Sequence, residues 1–124
     1  MAIKISGTTV IDDSRVLKNI LQGSVSSSII VSTGGTIDCD QGIFFRATIS
    51  SSTTFSFTNV PATSAYTCVL EITHSGGTIA WPNTVVWPGD VAPTTTTGKT
   101  HLFVLITDDG GSRWRGAFLT NYTN

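Results

Sequence analysis

The side chains able to do acid–base or metal chemistry are few and scattered. His74 precedes the turn residues Ser75-Gly76-Gly77, and His101 opens an apolar run. Neither lies in a known catalytic motif. Asp38 and Asp40 are two positions apart, so on a strand their carboxylates point the same way and could share a calcium ion. The competing reading, which we adopt, is a pair of solvated carboxylates beside the Gln41-Gly42 turn. Asp108 and Asp109 precede Gly110-Gly111, where aspartate stabilises a bend through its own side chain. Cys39 and Cys68 lie 29 positions apart with no metal-ligand spacing around them, and they read as buried thiols. The glycine pairs join apolar runs rather than opening helices, so they form no phosphate loop. Asn121-Tyr122-Thr123 has the form of a glycosylation sequon, which bears only on a secreted chain. No catalytic residue, cofactor or metal is expected.

The residues with most functional content are aromatic. Trp81, Trp87 and Trp114 either plug the ends of a core or form a candidate ligand platform on which sugar rings stack. Trp81-Pro82 and Trp87-Pro88 set the geometry between them. Proline forces the preceding residue into extended space and cannot donate to a ladder, so the two pairs frame a bent corner at a strand end or edge.

Strands must position these groups. Serine and threonine are abundant, and the twelve glycines fall mostly between apolar runs. Ile43, Phe45, Ala47 and Ile49 alternate with Phe44, Arg46 and Thr48. Phe55 and Phe57 alternate with Thr54 and Ser56; Tyr66, Cys68, Leu70 and Ile72 alternate with Thr67, Val69, Glu71 and Thr73. Further strands are expected around Ser28–Ser32, Thr36–Asp40, His101–Thr107 and Arg113–Thr120, the last two joined across the Asp108–Gly111 turn. The expected fold is all-β: an antiparallel β-sandwich, jelly-roll-like, of about eight short strands with an N-terminal arm. Residues 1–23 are the arm or linking motif and residues 24–124 the head domain. The stretch Leu102–Ile106 is apolar on both faces, which implies that another subunit covers the second face.

The arm fits neither period. Asp12-Asp13-Ser14 could cap a short helix carrying Val16, Leu17, Ile20 and Leu21, or the segment could be an extended strap on a neighbouring chain. In both cases Ile3, Ile5, Val10, Ile11, Val16, Leu17, Ile20 and Leu21 must bury themselves elsewhere and form the expected interface. A formal net charge of −1 with no basic patch argues against nucleic acid, and no run approaches the roughly 18 apolar residues of a membrane span. The first residues lack an apolar h-region, so synthesis in a cytoplasm is expected.

One stretch is distinctive. Gly76-Gly77, Trp81-Pro82, Val85, Trp87-Pro88-Gly89 and Pro93, then Lys99 and the run Thr107-Asp108-Asp109-Gly110-Gly111 with Trp114 and Gly116, resemble a β domain of bacteriophage tail-fibre and other virion proteins, cyanophage ones especially. Phe55-Ser56-Phe57 and Asn59-Val60-Pro61 fit the same domain, and Ile5 to Ile20 resembles the linking motif that such fibres repeat along their shafts. Asp90 stands where that family usually has a second glycine, so the local turn differs. The resemblance implies a non-enzymatic structural protein of the virion, made in the host cytoplasm and usually homotrimeric. Its expected partners are its own copies and the major capsid or tail proteins, with no nucleic acid and no membrane. A short arm with a compact head also describes a capsid decoration (cement) protein. The alternative expectation is a carbohydrate-binding host-adhesion module that holds a host-surface glycan with its tryptophans.

Overall fold

The computed structural model describes residues 3–5, 8–11, 29–32 and 34–124. Its elements are strands: β1 (Ile3–Ile5), β2 (Thr8–Ile11), β3 (Ile29–Ser32), β4 (Thr36–Asp38), β5 (Phe44–Ile49), β6 (Thr53–Thr54), β7 (Ser56–Thr58), β8 (Tyr66–His74), β9 (Ile79–Ala80), β10 (Val85–Val86), β11 (Lys99–Thr107) and β12 (Trp114–Tyr122). Among the described residues, one 3-10 turn, at Pro88–Asp90, follows the second tryptophan. The all-β class stands.

The main sheet has six strands in the order β10-β12-β11-β8-β5-β3. The expected antiparallel arrangement holds for β8, β11 and β12, and parallel pairs flank it: β5 with β8, β3 with β5, and β10 with β12. Parallel neighbours need a crossover, which is commonly a helix. This chain crosses over with short strands instead. β4 lies between β3 and β5, and β6 and β7 lie between β5 and β8. These crossing strands pair as β4 with β7 and β6 with β9. Together with the Trp-Pro corner they form a second, irregular layer. The expectation of about eight strands left out β6, β9 and β10, which are only two residues long, and the pair β1 and β2 within the arm.

The core lies between the two layers. From the main sheet come Phe45, Ala47, Ile49, Cys68, Leu70, Ile72, Phe103, Leu105 and Trp114, and from the second layer Ile37 and Phe55, with Phe57, Ile79 and Trp81 packed against them. The two-residue period explains the selection. In β8 every second side chain from Tyr66 to His74 is buried, and β11 buries His101, Phe103, Leu105 and Thr107 in step with it. Ile43 departs from its expected face and is exposed. It precedes the first residue of β5, so the alternation does not yet bind it.

At the other end, β1 and β2 pair antiparallel, with Ile3 opposite Ile11 and Ile5 opposite Thr8. Ile3, Ile5, Val10 and Ile11 therefore belong to a two-stranded ribbon. The helix or strap expected around Val16, Leu17, Ile20 and Leu21 lies outside the described residues.

Gly77 joins β8 to the second layer. Its φ is +76°, and a Cβ there would lie 2.1 Å from the Ser51 carbonyl carbon. Gly98 has a similar φ of +83° with open space around it. Gly98→Ala should therefore lose about 1 kcal/mol from backbone strain alone. Gly77→Ala adds a backbone collision and should lose about 3 kcal/mol or more. Denaturant melts of the two variants check this; equal losses would mean that the crossing at Ser51 is not tight.

Candidate functional site

The two histidines, distant in sequence, meet in space. His74 ends the inward-facing series of β8 and His101 begins that of β11, with ring centroids 6.0 Å apart. Both are buried, at 4% and 0% exposure. Their hydrogen bonds assign the tautomers. The Asn121 backbone N–H donates to His101 Nδ1 at 3.2 Å, so Nε2 carries the proton and donates to the Thr96 carbonyl at 3.1 Å. His74 Nε2 lies 2.9 Å from the Gly77 carbonyl and must donate to it, which leaves its buried Nδ1 without a partner.

His101 thus holds two irregular segments, the threonine run and a bulge. The bulge arises because one residue of β11, His101, stands opposite two of β12, Thr120 and Asn121, and Asn121 absorbs the excess at a φ of 68°. No hydroxyl or thiol nucleophile bonds to either ring among the described residues.

The carboxylates are also engaged. Asp38 Oδ1 accepts from Asn59 Nδ2 at 2.8 Å and from the Asp40 N–H at 3.1 Å, and these bonds, Asn59 first, hold its carboxyl below the usual range. Asp38 therefore fixes a turn rather than facing Asp40 across a shared ion. Asp109 Oδ1 accepts from the Arg113 N–H at 2.9 Å and from the buried Thr107 hydroxyl at 3.1 Å. The same hydroxyl accepts from the Gly111 N–H, which closes the β11–β12 hairpin. The Arg113 backbone bond is the main cause of the low Asp109 pKa.

Cys39 and Cys68 are free, buried thiols near Tyr66, whose hydroxyl donates to the Gly42 carbonyl at 2.5 Å. Burial pushes the Cys39 thiol up, and burial followed by the nearness of Cys39 pushes Cys68 up to about 12.

The tryptophans pack in two aromatic groups, Trp114 with Phe57 and Tyr66, and Trp81 and Trp87 with Phe55, Phe103 and Phe118. Trp114 is buried and packs on Phe57, with ring centroids 4.4 Å apart. Trp87 is buried over Gly116, where a Cβ would meet its ring at 2.4 Å. Glycine is needed at 116 to admit that ring. The Trp87 indole N–H is buried without a partner. Trp81 is half-buried; Phe55 stacks on it at 5.0 Å, and Trp87 and Phe103 contact it at 5.1 and 4.8 Å. It borders an open hollow of about 400 Å3 with Pro82, Asn83 and Asp90. Asp90 adopts a φ of 59°, the left-handed conformation that glycine adopts without strain.

What remains open is the outer face of the main sheet. Cross-strand registers place Ala117 beside Val104, Val104 beside Val69, Val69 beside Phe44, and Phe44 beside Ile29. One apolar row therefore runs across five strands. Leu102 and Leu119 form a neighbouring row that ends in the Arg46–Glu71 ion pair, 2.8 Å long, and Ile106 lies on the other side. Ile29, Ile106 and Leu119 are 56%, 46% and 61% exposed. Full burial of each would be worth roughly 1.5–3 kcal/mol, so this face carries unused hydrophobic free energy. Strand periodicity announced the two-faced β11. The five-strand row was not visible in the sequence, because it depends on the register of parallel pairs.

Two measurements check the buried groups. The folded His101 pKa lies below its ordinary 6.5, mainly through burial and further through His74, against the opposing Thr96 bond. On acidification the unfolded chain binds a proton first, so this contribution is present above about pH 6.5 and is lost as pH falls below it. The melting temperature should decline between pH 7 and 5, above the carboxylate range, and His101→Gln should flatten that decline. Neither thiol should react with a thiol-exchange reagent at pH 8 until denaturant is added; rapid native labelling of Cys68 would contradict its burial. Comparison with protein-family models, characterised proteins and solved structures finds no match to this chain.

Proposed function

We propose that this chain is a non-enzymatic structural protein of a bacteriophage virion, carried on the particle exterior as a homotrimer and docked through its N-terminal segment. The observation that carries the reading is the apolar row left open on the main sheet. A protein with that surface works by association. The side chains with reactive chemistry support the same reading, because His101, Asp38, Asp109 and Thr107 serve as hydrogen-bond partners for turns and a bulge. The apolar residues Ile3, Ile5, Val10, Ile11, Val16, Leu17, Ile20 and Leu21 supply the attachment to capsid or tail proteins. The likeness to virion β domains around Trp81-Pro82 and Trp87-Pro88 supports a bacteriophage virion as the particle.

Removal of residues 1–23 should leave a folded head with an unchanged melt of the aromatic core that no longer joins the particle. Normal incorporation of the truncated chain would refute the docking role. The number of copies in each particle then assigns the place: hundreds mean capsid decoration, tens or fewer mean a tail position.

A further inference from the structure

We propose that the outer face of the main sheet is the surface through which copies of this chain meet, with Leu119 of one copy entering the hollow beside Ile29 of the next. The inference rests on the proposed assembly and names its contact surface. The face is unlike at its two ends. At the β12 end Leu119 protrudes, 61% exposed, beside the small Ala117. At the β3 end Ile29, Ile43, Phe44 and Val69 enclose an open apolar hollow of about 310 Å3. A knob and a hole on opposite edges of one surface are satisfied by a second copy placed head to tail, and such contacts continue until the ring closes.

Charge points to the same occupant. Arg46 and Glu71 neutralise each other within the face, and Arg115 has no ion-pair partner among the described residues. An acidic partner would find one unpaired charge there, Arg115, at the side of the face, whereas the five-strand apolar row matches the hydrophobic character of its own copy. Size favours a closed ring over a pair. Five strands about 4.8 Å apart make the row roughly 19 Å across, and two or three residues on this side of each strand give roughly 500 Å2 per copy. A closed ring of three copies divides about 1,500 Å2 among three contacts, roughly 500 Å2 each; one such contact is smaller than a stable pair needs, and only ring closure engages all three together.

The test uses the full chain. Sedimentation of the wild type at micromolar concentration should give three times the 13.1 kDa chain mass. Leu119→Arg and Ile29→Glu, at the two exposed ends, should each give the single-chain mass. Their melting should stay two-state, and their near-ultraviolet tryptophan signal should match that of the dissociated wild type. A wild type of single mass throughout a dilution series overturns the proposal. So does either variant that keeps the assembled mass while folded, which would leave the face free or covered by residues 12–28 or another protein. Particle incorporation is scored separately: a wild type that joins particles without assembling by itself would sink this surface and leave the proposed virion role standing.

Discussion

The nine-residue antiparallel ladder between β8 and β11 governs the rest of the molecule. Its register decides which side chains face the second layer and which face outward, and a slip of one residue would exchange the two sets. With the register fixed, Leu70, Ile72, Phe103 and Leu105 meet the aromatic groups, while Val69 and Val104 meet each other on the other side. The core and the open apolar row are the two faces of a single pairing.

The second layer is what makes the inner face a core. Its strands are too short to be a sheet in their own right, and it relies on large rings instead. Phe55 stacks on Trp81, which packs on Trp87 and Phe103, and Phe57 reaches from its crossover onto Trp114. Rings supply the large buried area that short strands lack. Gly116 then becomes structural, since only a bare Cα lets Trp87 lie flat on β12. Outside the main sheet nothing comparable covers the other face among the described residues, and the asymmetry between the two sides is the basis of the proposed role in assembly.

Local signals were legible in the sequence and long-range ones were not. The alternation in Phe44–Ile49 and Tyr66–His74 gave the inner faces correctly because neighbouring residues determine it. The Asp108–Gly111 hairpin was readable for the same reason, through Asp109 and Thr107. The parallel partners β3, β5 and β8 were missed because crossovers through other strands set their order. The His74–His101 meeting required the β8–β11 register, although both residues continue inward-facing alternations that strand period alone could have flagged. The choice between core plugs and a ligand platform for the three tryptophans depends on packing partners that lie far away in the chain, chiefly Phe55, Phe57 and Phe103; Trp87 and Trp114 are buried, and Trp81 is half-buried beside its hollow.

The crossover topology has a kinetic consequence. Within the main sheet, only β11 and β12 are joined by a short turn; β5 must wait for residues 50–65, and β8 for residues 75–98, before their partners arrive. Loop closure makes distant pairings slow, so the hairpin is the natural nucleus and the parallel strands add afterward. Among the described residues β3 is held in the sheet by β5 alone, and it carries Ile29, the last wall of the outer hollow. The receiving half of that surface is therefore complete only when folding is nearly finished, which separates maturation of each chain from its joining to others and keeps half-made chains from adhering through it.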